Sequence, residues 1–138
     1  MQSAYNDILT ALGEATFSIP NVTVRKPYDE SDKTFPSVVL HEITNEPLNH
    51  GMVNGETRTV LGYQVDIATT DCVNTKNEVL GRYEANMTLR NEVVELLNTE
   101  FKLTRRFTGD PQAISTEVVE SQTRFGGILD SHGYTYRP

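Results

Sequence analysis

Apolar positions along the first fifteen residues follow a helical rhythm. Tyr5, Ile8, Leu9 and Leu12 fall at i, i+3, i+4 and i+7, one stripe of a helix, with Ser3 placed to cap it and Asp7 in its first turn. Gly13 weakens the end of that pattern, Pro20 follows, and then comes a short β-branched run, Val22 to Lys26. The polar, turn-rich segment KPYDESDKT then reads as an exposed loop. Beyond it lie two long extended runs, Phe35 to Asn45 and Glu56 to Thr69. Typical strands span about 5–6 residues, and these are roughly twice that. In the first run, Val38 and Leu40 point one way and Val39 and Ile43 the other, which predicts a strand covered on both faces. In the second, Leu61, Tyr63, Val65 and Ile67 share one face, and Val60, Gln64 and Asp66 the other. The connection from Glu46 to Gly55 carries the turn pair Asn54-Gly55.

A helix is predicted from about Asn74 to Asn98, with Val79, Leu80, Tyr83, Met87, Val93, Val94 and Leu97 as its apolar stripe. Lys102 to Phe107, Ala113 to Arg124 and Ile128 to Arg137 read as strands, with Gly126-Gly127 as a two-residue hairpin turn. The pattern predicts a single α+β domain over residues 1–138. Its sheet is mixed and largely antiparallel, with two helices packed on one face, in the order α-β-β-β-α-β-β-β. The opposite face is then either solvated or covered by another subunit, and apolar Val38, Leu40 and Val60 favour the subunit. A hairpin of this reach also presents backbone edges to a neighbour.

Composition narrows the classes. A chain of 138 residues that is 37% hydrophobic and 22% charged can bury one substantial core. No apolar run approaches the ~18 residues of a membrane span, and the first fifteen residues lack the pattern of a signal peptide. The single Cys72 leaves no intrachain disulfide, which suits a reducing cytoplasm, and between Asp71 and Val73 it reads as an ordinary strand-end residue. The net charge of −7 is uneven: residues 1–100 hold 15 acidic and 7 basic side chains, residues 101–138 hold 4 and 5. Such a balance repels polyanions and lacks the basic face that tight nucleic-acid binding requires.

Candidate chemistry is sparse. His41, His50 and His132 have no metal-ligand spacing, and serine-nucleophile and phosphate-cradle signatures are missing. No cofactor is expected. The sharpest enzymatic alternative is a metal-dependent nuclease using Asp66 with Glu100-Phe101-Lys102, since clustered carboxylates and a lysine suit phosphodiester cleavage. In nucleases of the restriction-endonuclease-like class, both pieces lie on adjacent strands ahead of the second helix, whereas here Glu100 to Lys102 follows it. Arg105 and Arg106, beside Phe101 and Phe107, read as an intersubunit patch in preference to a nucleic-acid patch. Tyr134 and Tyr136 alternate with Thr135 and Arg137 as a core-facing edge strand, with a protruding aromatic tail as the alternative.

The chain as a whole resembles the tail-terminator and tail-completion (head–tail joining) proteins of long-tailed bacteriophages. The resemblance rests on FPSVVLHEI opening a long strand, GYQVDIATT as its partner, the long helix after it, the basic-aromatic TRRF and the closing RFGGILDSHGYTYRP. It implies a structural virion protein without catalysis, assembled in the host cytoplasm. Such a protein forms a homohexameric ring that caps the tail tube and joins it to the head-completion complex. The implied partners are other copies of this chain, the major tail tube protein and the head-completion (stopper) protein, with DNA passing through an acidic channel without specific binding and no membrane involved. A head-completion role in the same neck is the second structural reading. The contact residues expected on this basis are Leu48, Asn49, His50, Met52 and Asn54 in the long connection, Tyr28 and Lys33 in the polar loop, and Arg105, Arg106, Tyr134 and Tyr136 near the end.

Overall fold

A computed structural model of the protein describes residues 3–28, 34–48, 58–130 and 134–138. The elements in order are α1 (Ala4–Glu14), β1 (Thr23–Arg25), β2 (Ser37–Leu48), β3 (Arg58–Thr69), β4 (Cys72–Val73), β5 (Val79–Leu80), α2 (Arg82–Phe101), β6 (Thr104–Thr108), β7 (Gln112–Ala113), β8 (Val119–Asp130) and β9 (Thr135–Arg137). The architecture is the expected α+β one, a mostly antiparallel mixed sheet of seven strands with two helices.

Strand β3 is the axis of the sheet. It pairs antiparallel with β2 on one edge and, over all twelve residues, with β8 on the other. Beyond β2 lies β1, parallel and short, alongside Ser37 to Val39. The far edge of β8 is lined by three short strands: β7 beside Val119 and Glu120, β6 beside Thr123 to Gly126, and β9 beside Ile128 to Asp130. Alternation in β3 puts Leu61, Tyr63, Val65 and Ile67 into the core, as the sequence pattern predicts. Val38 and Leu40, expected on the exposed side, are instead fully buried beneath the helices, because the register Val38↔Ile67 and Leu40↔Val65 places them on the core face. The strand is thus covered on one face only among the described residues, and Ile43 stands 55% exposed at a bulge between Glu42 and Thr44.

Helix α1 begins as its sequence dictates, with Ser3 Oγ accepting from Asn6 N at 3.2 Å. Helix α2 departs from the expectation. Residues 72–80 form a small hairpin of β4 and β5, closed by Asn74, whose side chain accepts from the amides of Lys76 and Glu78. The helix therefore starts at Arg82, where Asp71 Oδ1 accepts from the Arg82 amide at 2.8 Å and supplies the cap that Gly81 lacks. Its buried stripe is Ala85, Leu89, Val93, Leu97 and Phe101, while Tyr83 and Met87, assigned to that stripe by periodicity, are exposed.

Asn86 lies in the same buried stripe, fully inaccessible to solvent. Its amide donates to the carbonyls of Ile67 (2.9 Å) and Val119 (3.2 Å), and its carbonyl accepts from Ser121 Oγ (2.6 Å). The helix is thereby fixed to β3 and β8 at one point of their seam. Glu92 does the same for the connection after α1, accepting from the amide and hydroxyl of Ser18.

Gly126-Gly127, expected to turn a hairpin, lies inside β8, and the chain reverses between β8 and β9 instead. A Cβ at Gly126 would stand 2.9 Å from Arg106 Nε, and one at Gly127 2.9 Å from Leu103 Cδ2 and 3.2 Å from the Arg137 carbonyl. The glycines therefore answer to close approach across the strand. Asn86→Ala is expected to lower unfolding free energy by about 2–3 kcal/mol in urea titration, because Ser121 and two carbonyls lose a buried partner. Glu95→Ala, on the helix's partly exposed side, should stay within about 0.5 kcal/mol of wild type.

Candidate assembly surface

The helices pack on one face of the sheet, and no described element covers the other. That open face carries alternate residues of β2, β3 and β8. At its centre a chain of side-chain contacts crosses four strands. His41 Nε2 meets Asp66 Oδ2 at 2.7 Å, and Gln64 Nε2 donates to Asp66 Oδ1 at 2.9 Å. Arg124 Nε donates to Gln64 Oε1 at 3.1 Å, and its guanidinium lies 6.0 Å from the centroid of the Phe107 ring. The order follows from register, since His41↔Gln64, Gln64↔Arg124 and Arg124↔Phe107 are cross-strand partners. Each side chain holds the next in place, so the face is a preorganised polar surface. Half-buried Val39, Val60 and Ile128 surround it.

Glu120 sits beside this network. Burial and then the Asp66 carboxylate push its carboxyl above the ordinary range, with His41 opposing. Toward the other end of β8, buried Asp130 lies between Arg137 (3.6 Å) and Arg58 (3.9 Å).

The predicted contact residues fall into three groups. Asn49, His50, Met52, Asn54 and Lys33 lie outside the described residues. Tyr28 is 99% exposed with a φ of 65°, Arg105 and Arg106 are exposed on β6, and Leu48 is the half-buried last residue of β2, opposite Arg58. These four are spread over the surface and form no single cluster. Tyr134 and Tyr136 point inward, as the edge-strand reading expects. Tyr134 Oη donates to Asp7 Oδ2 at 2.7 Å and Tyr136 Oη at 3.3 Å, while the Tyr136 ring stacks edge-on against Phe101, centroids 5.0 Å apart. Tyr5 completes the group, donating to the Leu40 carbonyl at 2.7 Å with its ring 6.5 Å from that of Tyr63. Burial, followed by the Glu42 carboxylate, pushes the phenol of Tyr63 far above its ordinary value.

The nuclease constellation is not brought together. Asp66 faces the open side of the sheet and is committed to His41 and Gln64, whereas Glu100 and Lys102 stand at the end of α2 on the helix side, with Phe101 in the core between them. Burial and the adjacent Asp71 carboxylate push the Cys72 thiol up, away from thiolate character. Among the described residues, no three His, Cys, Asp or Glu side chains converge at metal-binding distance. No helix of the described residues is long and apolar enough to cross a membrane.

Two pH-dependent outcomes follow from the shifted groups. Glu120 is harder to ionise folded than unfolded, so its stabilising share is full below the ordinary carboxylate range, about pH 4. That share falls as pH rises through this range toward the raised folded value. Glu120→Gln should therefore be more stable than wild type at pH 7 in urea titration, with the advantage gone at pH ~3. The raised phenols of Tyr5, Tyr63, Tyr134 and Tyr136 give stability that is whole below about pH 10 and lost above it, as the unfolded chain ionises first. Tyr63→Phe should blunt that alkaline loss. At neutral pH it should leave stability unchanged or higher, since the buried hydroxyl has no partner among the described residues.

Comparison of the sequence with family models and with curated proteins finds no match.

Proposed function

We propose that this protein is a structural ring subunit of a long-tailed bacteriophage virion. It caps the tail tube and joins it to the head-completion complex around a channel for DNA. The observation that supports this reading is the one-sided sheet, with helices on one face and a preorganised polar surface, flanked by half-buried aliphatics, on the other. A sheet that spends a whole face on ordered cross-strand contacts is suited to meet a protein surface. The net charge of −7 adds to the case, because an acidic lining lets a polyanion pass without adhering. Ring closure by rotation requires a heterologous contact between unlike patches, and stopping a tube requires that the two ring faces differ. The sequence has no internal repeat that would make its faces alike.

Size-exclusion chromatography with light scattering on the purified chain, at near-physiological salt, should give a ring-sized species of about six copies. Added to polymerising tail tube protein, the chain should bind one tube end and halt elongation under the electron microscope. A persistent monomer would sink the ring reading, and Mg²⁺-dependent DNA cleavage by it would favour the nuclease in its place.

A further inference from the structure

The sheet ends in two open edges of opposite character. On one side β1 covers only Ser37 to Val39 of β2, and Tyr5 bonds the Leu40 carbonyl where β1 stops. From His41 to Leu48, no described strand pairs the outer edge of β2. That stretch exposes Glu42, Ile43, Asn45, Glu46 and Pro47. On the other side, the outer edges of β6 and β9 are likewise unpaired among the described strands, and they expose Arg105, Arg106, Phe107 and Arg137. One edge is acidic with an exposed isoleucine, the other basic with an exposed phenylalanine.

The ladders set these groups at common heights. Glu42 pairs with Tyr63, Tyr63 with Phe125, and Phe125 with Arg105. Glu46 pairs with Val60, Val60 with Ile128, and Ile128 with Arg137. Each acid of the β2 edge therefore stands level with an arginine of the far edge, and on the same face of the sheet. Strand direction agrees as well. Three antiparallel steps separate β2 from β6, so the two edges run in opposite senses. A second copy placed alongside in the same orientation meets β2 antiparallel, and the alternation of the sheet continues across the join.

We infer that the His41–Leu48 edge of β2 takes the β6–β9 edge of a second copy of this chain as its next antiparallel strand, with Glu42 and Glu46 facing the neighbour's arginines. The partner is thus identical in sequence and contributes the opposite edge. This rests on the ring reading and specifies its subunit contact. Backbone hydrogen bonds supply the attraction, and the charges select the edge. Pairing of β2 with β2 would set Glu42 and Glu46 against themselves, and β6 with β6 would set arginine against arginine, so both two-fold alternatives are disfavoured. At one end of the seam β1 meets the neighbour's β7, which confines pairing to the stretch beyond Leu40.

Charge reversal tests the assignment by light scattering on the full chain. Glu42→Arg with Glu46→Arg should shift the wild-type oligomer to monomer, or raise its dissociation midpoint at least about tenfold. Arg105→Glu with Arg137→Glu, the arginines level with those two acids, should do the same. All four changes in one chain should restore assembly, because the edges are again opposite in charge. Circular dichroism verifies folding, and Glu42→Arg alone, at an exposed position, serves if a double variant unfolds. An oligomeric wild type that either reversal leaves intact, or that the fourfold swap does not rescue, overturns the edge assignment and leaves the ring reading standing. A wild type that is monomeric at all concentrations overturns both.

Discussion

Everything in this fold hangs on β3 being paired along both edges at once. Eleven residues, Arg58 to Ala68, fixed between β2 and β8 leave no freedom of register, since a slip of one would carry Leu61, Tyr63, Val65 and Ile67 out of the core. The helices then have one apolar surface to cover, and the other face carries the polar network with half-buried Val39, Val60 and Ile128 around it. Asn86 adds direction to that apolar contact. Buried among leucines and valines, it can satisfy its amide only where Ile67, Val119 and Ser121 come together. Hydrophobic burial drives α2 onto the sheet, and one buried amide sets its position along it.

The sequence made the long strands, the first helix and the class of the fold legible, because each depends on local periodicity. The alternation of β3 and the Ser3 cap are of this kind. Features that depend on distant partners were not legible. The stripe of α2 was mis-phased because Val79 and Leu80 sit in a strand ahead of the helix, where their apolar character serves the β4–β5 hairpin. Gly126-Gly127 looks like a turn in isolation, and only the approach of Arg106 and Leu103 accounts for the pair within a strand.

The candidate surface was less legible still. His41, Gln64, Asp66, Arg124 and Phe107 come from four strands, and no spacing in the chain announces that they meet. Once the register of β2 on β3 and of β3 on β8 is known, their adjacency is forced. The long connection between β2 and β3 has no length that would fix this register in advance. The basic pair Arg105-Arg106 was recognisable as a patch, yet its counterpart Glu42 and Glu46 has meaning only when both edges of one sheet are compared. Tyr134 and Tyr136 show the reverse case, where alternation alone identified inward-facing residues and the structure supplied their partner, Asp7.

That partnership makes the end of the chain depend on its beginning. Asp7 and Tyr134 are 127 positions apart, yet one carboxylate receives both the phenol of Tyr134, just ahead of β9, and that of Tyr136 within it. A ladder of three residue pairs gives β9 little hold of its own, so its place in the folded chain depends on a docked α1 and a formed β8. The contact is among the least local that the chain can make, and its chain-closure entropy is correspondingly large. Arg137 belongs to the same short strand and depends on the same supports. A copy still on its way to the native state therefore lacks part of its basic edge, and maturity of the fold is a precondition for any use of that edge.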